Sequence, residues 1–473
     1  MNYYELRSQV AKIVPRMTQL IDKTKRQGAV QEKGRKSGYS EFKLDQQEYV
    51  KQERLLNTEE INSFAEISCR AAACPMPLNL DVWDGLLCPY NCRYCFANAF
   101  RASLYTAFFD NSKTMGMRHC NPDKYKAELD KVMQARGRDP HDVSGDVAKA
   151  FALEMPVRLG IRFEDFTSEE AEKGISLQLL EYLADNAYPT MINTKSALVG
   201  TPRYLKALSR NKGRAAVHTT LISSDNGLLK DIEPGAPSYD ERVEAMGSMV
   251  QAGIRVVARI EPFLPFINDR EEDVRKYIED MKRIGVKNIT FDTYSYSANN
   301  PGIRQAFLNQ GYDWERIFTI GCDSQALGSL LLGSFMELFR AEGFSCSTFD
   351  MGNAPTNDQW VCCEVGDWFK KSSFNVGCSV FAARYIQEAS HAYGKPVAVR
   401  WSQFKGWVNE QGGFLSESLE SEVHHLWNCE GNEAYSHSWA AGMDPVGWDE
   451  DGMIWKYTPK VDFRKELLEG MLG

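Results

Sequence analysis

The sequence holds no apolar run long enough to span a bilayer. The longest, LGSLLLGSFMELF from Leu327, is too short and too interrupted. The first residues, MNYYELRSQV, lack the apolar stretch of a secretory leader. Internal repeats and low-complexity tracts are also missing. These absences predict a cytoplasmic globular chain with no membrane partner. In that reducing compartment the twelve cysteines favour metal ligation or buried thiols over disulfides. The net charge of −9 speaks against wholesale coating by nucleic acid. One segment runs the other way: residues 23–36, KTKRQGAVQEKGRK, carry six Lys/Arg and one Glu. It reads as a solvated linker or a phosphate-binding arm.

What is present is a chain of 473 residues, 43% hydrophobic and 25% charged, long enough for two or three domains. Leu6, Val10, Ile13, Met17, Leu20 and Ile21 recur at helical spacing and predict a helix over 3–25, kinked at Pro15. From about residue 78, β-rich runs alternate with amphipathic helical runs. The strands fall at 79–87, 156–163, 189–195, 215–222, 254–263 and 288–296, and helices at 174–187, 239–253 and 270–285. Six such units predict an α/β fold: a parallel sheet with helices outside, curled into a partial (β/α)6 TIM-like barrel. The expected domains are a helical extension with a basic linker (1–77), the barrel (78–345), and an irregular cysteine-rich domain (346–473).

After the first strand comes CPYNCRYCF, with Cys88, Cys92 and Cys95 spaced C-x3-C-x2-C. Loops that follow the strands of a parallel barrel form its active face. Thiolates suit zinc or an iron–sulfur cluster. No second C-x2-C knuckle is present to complete a zinc finger. The motif resembles the signature of radical S-adenosylmethionine (SAM) enzymes, with Tyr94 as the aromatic residue before the last cysteine. That resemblance implies a [4Fe–4S] cluster on Cys88, Cys92 and Cys95, with one iron left open to chelate SAM. It further implies one-electron cleavage of SAM to a 5′-deoxyadenosyl radical, which abstracts a substrate hydrogen. An external electron donor such as flavodoxin or ferredoxin is then required. Tyr94 is expected near the adenine.

A finer resemblance covers roughly 78–300. The stretch 217–265 is similar to spore photoproduct lyase and its relatives, through Thr219, Thr220, Glu233, Pro234, Arg242, Gly253 and Pro265. NTKSALV (193–199) resembles their third-strand Thr-Lys-Ser element. The resemblance makes Lys195 a partner for the SAM carboxylate, and Thr219 or Thr220 a hydrogen-bond donor to that carboxylate or to the ribose. Glu233 and Arg242 are expected to pair and fix a loop. The lyase carries a cysteine hydrogen donor near the end of its second strand. Here that region reads GIRFEDF, with Arg162, Glu164 and Asp165 and no cysteine. Carboxylates such as Glu164 suit the SAM amino group or a substrate amine. Cys120 is a candidate substitute donor.

Cys346, Cys362, Cys363 and Cys378 fall within 33 residues, flanked by Cys322, Cys429, His424 and His425. Their density suggests an auxiliary iron–sulfur cluster or zinc site, with buried thiols as the alternative. Cys69 and Cys74 read as packing residues. Three functions stay open at this stage. The leading one is a lyase- or isomerase-type radical SAM enzyme on a thymine-derived base in DNA or a nucleotide. The others are a peptide-modifying radical SAM maturase with an auxiliary metal site, and a non-catalytic zinc-stabilised nucleic-acid binder.

Overall fold

The computed structural model describes residues 2–12, 59–61, 66–69, most of 76–97, 117–293 apart from 162 and 212, a few positions in 305–311, 325–349, and parts of 357–457. Seven parallel strands form the centre: β1 (Leu78–Asp81), β2 (Val157–Leu159), β3 (Thr190–Thr194), β4 (Ala215–Thr220), β5 (Arg255–Phe263), β6 (Asn288–Thr293) and β7 (Ser345–Thr348). They lie side by side in chain order, and Glu66–Cys69 adds an antiparallel edge against β1. A sheet wound in chain order by right-handed crossovers carries its helices on one face only. Its other face becomes the inside of a curl, as in a TIM-like barrel left open.

The sequence shows this division of faces. One face carries Leu80, Leu159, Ile192, Val217, Ile260 and Phe291, all buried. Gln325–Ala341 packs there, with Phe335 against Phe263 and Phe291 (ring centroids 4.8 and 5.8 Å apart). The opposite, concave face presents Asn79, Arg158, Asn193, His218, Arg259, Thr290 and Ser347, placed together by strand register.

The crossover helices have identifiable caps. Glu170 is fully buried and accepts from the backbone N–H groups of Ser176 and Leu177 (2.8 and 2.9 Å), closing the start of helix α1 (Ile175–Asp185). Helix α2 (Tyr239–Gln251) starts with a Ser238–Glu241 capping box. Helix α3 (Glu271–Ile284) places acids in its first turn and Lys282 and Arg283 in its last, then stops at Gly285 in the left-handed region.

Two results amend the sequence reading. The parallel strands number seven rather than six, and the added β7 straddles the boundary drawn at 345/346. Within 346–473 the described residues also include regular structure. Ala398–Val399, Met443–Asp449 and Gly452–Tyr457 form an antiparallel sheet beside helix Trp401–Glu410, with Trp401, Phe404, Trp427 and Trp455 buried. The N-terminal helix is described over 3–12. It is pinned by Tyr3 and Arg7 to Asp269 in the loop after β5. The rest of the helix predicted over 3–25 and the basic stretch lie outside the described residues.

Candidate active site

The loop 88–95 follows β1 and the short strand Trp83–Asp84. Two turns shape it: the Asn91 N–H donates to Cys88 O (3.0 Å) and the Cys95 N–H to Cys92 O (3.1 Å). The loop is then tied down from outside. The Arg93 N–H donates to Ile232 O (2.9 Å), the Gly235 N–H to Tyr90 O (3.2 Å), and Tyr90 OH to Phe166 O (3.2 Å). Gly235 permits the closest approach: a Cβ there would stand 2.1 Å from Pro89 O.

Tyr94 anchors the far end of the loop. Its hydroxyl donates to Glu233, which pairs with Arg242, and both charged side chains are fully buried. Arg242 also donates to Thr220 O (2.9 Å) and Pro237 O (3.0 Å). The expected Glu233–Arg242 pair thus forms, and it links the end of β4 to the cysteine loop through Tyr94. Every polar side-chain atom of Tyr94, Glu233 and Arg242 has a partner, as a buried charge pair requires.

Lys195 stands at the end of β3 with its ammonium 5.5 Å from the centre of the Tyr94 ring. Burial opposes its charge, but the nearby groups of Cys92, Glu233, Glu164 and Cys95 outweigh burial and raise its pKa. Cys92 is buried, whereas Cys88 and Cys95 are half-buried. Burial pushes the Cys92 thiol up and Lys195 pulls it down, with Cys95 and Cys88 near enough to push it up further.

Glu164 is held by the fold itself. It accepts from Thr194 Oγ1 (2.6 Å), the Lys195 N–H (2.9 Å) and the Phe166 N–H (3.2 Å). Burial raises its pKa, against those three bonds. Asp165 shares the Gly160 N–H with Asp81 (2.8 and 3.1 Å) and also accepts from the Trp83 N–H (3.3 Å). Thr219 and Thr220 point to opposite faces. Thr219 lies beside Thr194, buried, and its hydroxyl has no partner among the described residues. Thr220 shares the concave face with Arg259. Cys120 is buried in a separate small sheet, its N–H donating to Val82 O (2.9 Å). Arg162 lies outside the described residues.

Among the described residues no three Cys, His, Asp or Glu side chains are gathered as a ready ligand set, those of loop 88–95 included. The donor chemistry nevertheless fits an iron–sulfur cluster. Three soft thiols share one anchored loop at the carboxyl end of a parallel sheet, with a cationic lysine beside two of them. The Lys195 ammonium suits an anionic ligand such as SAM. The chain resembles radical SAM enzymes.

The C-terminal cysteines are placed differently. Cys346 lies on β7 in register with Ile289, on the helix-covered face. Cys362 O accepts from Thr290 Oγ1 (3.0 Å) on the concave face, with Cys363 next to it. The sheet therefore separates Cys346 from the other two. Cys378, Cys322, Cys429, Cys74 and His425 lie outside the described residues, as does the side chain of Cys69. His424 is half-buried and bonds Asp451 O (2.6 Å).

No protein-family model matches the chain. Uncharacterized proteins of Mycobacterium tuberculosis and Mycobacterium bovis are each 22% identical over 236 residues, 48% of this chain and 64% of theirs. The match thus spans less than two thirds of those relatives. Among solved structures, a mutant spore photoproduct lyase with bound AdoMet and dinucleoside spore photoproduct is similar at TM-score 0.39 and 15% identity, covering 54% of this chain and 68% of that one. Another mutant of the lyase gives TM-score 0.42 and 15% identity, covering 61% and 80%. Streptococcus suis SuiB bound to S-adenosylmethionine gives TM-score 0.36 and 13% identity, covering 58% and 51%. Among the described residues no helix is long and apolar enough to cross a membrane.

Sequence reasoning missed Tyr90, Gly235, Asn193 and His218. Gly235 left a signal, since Gly after Pro234 marks a turn. Asn193 and His218 left only polar letters inside strand patterns.

Proposed function

We propose that the chain is a radical SAM enzyme whose substrate is a thymine-derived base in DNA or a nucleotide. The observation that carries the class is the anchored three-cysteine loop at the carboxyl end of the sheet, with Lys195 beside Cys92 and Cys95. Cys88, Cys92 and Cys95 would hold the [4Fe–4S] cluster. Lys195, Thr220 and Tyr94 would face SAM. When bound, the cluster and SAM supply one-electron C–S cleavage and hydrogen-atom abstraction. The chain's own residues do the rest. The Tyr94–Glu233–Arg242 chain fixes the loop, and Glu164 holds Lys195 at the end of β3 through its backbone N–H. The DNA substrate is favoured by the sequence resemblance over 78–300 and by the basic stretch 23–36. The missing cysteine near the end of β2 favours rearrangement of the base over repair, in a lyase- or isomerase-type reaction. Flavodoxin or ferredoxin would deliver the electron.

The test is anaerobic reconstitution with iron and sulfide, then dithionite, SAM and DNA carrying thymine or modified thymine. The expected products are 5′-deoxyadenosine and a hydrogen transferred from the DNA base. Formation of 5′-deoxyadenosine with no hydrogen ever drawn from DNA would reject the substrate. No SAM cleavage at all, with zinc in place of iron, would reject the class.

A further inference from the structure

One row of the concave face is only partly satisfied. Asn193, His218, Val257, Asn288 and Ser345 stand in register across β3 to β7. The segment at Glu364 serves one end of the row: Asn288 Nδ2 and Ser345 Oγ donate to its carboxylate at 2.6 and 2.8 Å. At the middle, the His218 ring lies beside the backbone carbonyl of Cys363. A ring nitrogen facing a carbonyl must donate, so it carries the hydrogen. Nε2 is the nitrogen with no partner among the described residues, so the donor is Nδ1. Nε2 is then a bare lone pair. Beside it, Asn193 Oδ1 also lacks a partner. The two residues are 6% (Asn193) and 2% (His218) exposed. Leaving a buried acceptor unpaired is costly. Two on adjacent strands, facing the inside of a barrel, call for a donor that the described residues do not provide.

We propose that Asn193 Oδ1 and His218 Nε2 form a paired acceptor subsite that takes N–H or O–H donors from the substrate. The donor is the imide N–H of a pyrimidine base or a hydroxyl of its sugar. Arg259 and Thr290, next along the concave face towards the strand ends, are bonded to Glu261 (2.5 and 2.8 Å) and wall the approach. The inference rests on the proposed function for the ligand's identity and on the row alone for the acceptor pair.

The test measures equilibrium binding of thymidine to the reconstituted protein, with 3-methylthymidine (no imide N–H) and 2′,3′-dideoxythymidine (no 3′-hydroxyl) as comparators. His218→Phe and Asn193→Leu should each weaken thymidine about tenfold, whereas His218→Gln, which keeps an acceptor near the Nε2 position, should stay within about threefold. A base contact predicts that native protein discriminates against 3-methylthymidine and that His218→Phe does not. A sugar contact predicts the same pattern for the dideoxynucleoside. Melting temperatures check that each variant folds. Should either replacement not fold, His218→Gln paired with the comparators carries the test. If the folded variants bind thymidine as native protein does, the two acceptors hold only a buried water, and the proposal falls. SAM cleavage under dithionite is scored separately. Its absence rejects the enzyme class. Cleavage with no thymidine binding by native protein rejects the base and the subsite together.

Discussion

Two groups of cysteines share this chain. Those at 88–95 lie on one loop, and each neighbour of that loop contributes a bond that fixes it. Those at 346–363 also cluster in the sequence, yet the sheet runs between Cys346 and the Cys362–Cys363 pair. The second group serves the fold through its backbone. The Cys362 carbonyl receives Thr290, and the Cys363 carbonyl lies beside the His218 ring. Density of a residue type is therefore a weaker sign of chemistry than its place on a strand end.

The sharpest way to break this comparison is to remove each group in turn. Replacing Cys88, Cys92 and Cys95 with Ala should abolish bound iron, sulfide and 5′-deoxyadenosine formation. A Cys346/Cys362/Cys363 triple Ser variant should keep iron and sulfide near native values. Cluster iron surviving in the first variant, or lost from a folded second, would reverse the contrast.

The anchoring of the loop is tested next. Glu233→Ala leaves the Arg242 guanidinium buried without its carboxylate and should cost about 3–5 kcal/mol in urea unfolding. A loss below about 1 kcal/mol would show that the pair is not closed to water. Gly235→Ala pushes a methyl group onto Pro89 O and should cost about 1–3 kcal/mol. It should also lower the iron retained after reconstitution, because it shifts the segment next to Cys88. Unchanged stability and iron content would contradict the close approach.

The smallest expected effect concerns the C-terminal side. Burial, with the charges of Arg259 and Arg158, pushes the His218 pKa down to about 3. In the unfolded chain it titrates near 6.5. Between these values the unfolded chain binds more protons, so this residue's share of stability falls as pH drops from about 6.5 towards 3. The stability difference between native protein and His218→Gln should shrink by about 1–2 kcal/mol from pH 7.5 to pH 5. An equal difference at both pH values would mean that the ring is not held neutral.

The legible parts of the molecule were those written in local periodicity. Six strands, the crossover helices and the cysteine loop all have apolar alternation, helical spacing or a spaced motif. β7 has none of these. Its residues Ser345 and Ser347 turn to Glu364 on the concave face, while Cys346 and Thr348 turn to the helices. Four small, mildly polar residues leave no hydrophobic signal. The places of Lys195, directly after β3, and of Glu164, in the loop after β2, were legible from the strand pattern. Asn193 and His218 were not, because their meaning depends on cross-strand register and on the Cys363 carbonyl, far along the chain. The Glu233–Arg242 pair was expected from the resemblance, but its link to Tyr94 emerged only from the folded chain.

Glu364 also sets an order of assembly. It is buried, with Asn288, Ser345 and Ser347 all donating to its carboxylate from the inside of the sheet. A nascent chain that has emerged only as far as β7 has these donors but not their acceptor. Synthesis runs from the N-terminus, and domains generally fold as units as they emerge. The last of these interior hydrogen bonds therefore form only after the residues around 364 have left the ribosome and turned back beneath strands made long before.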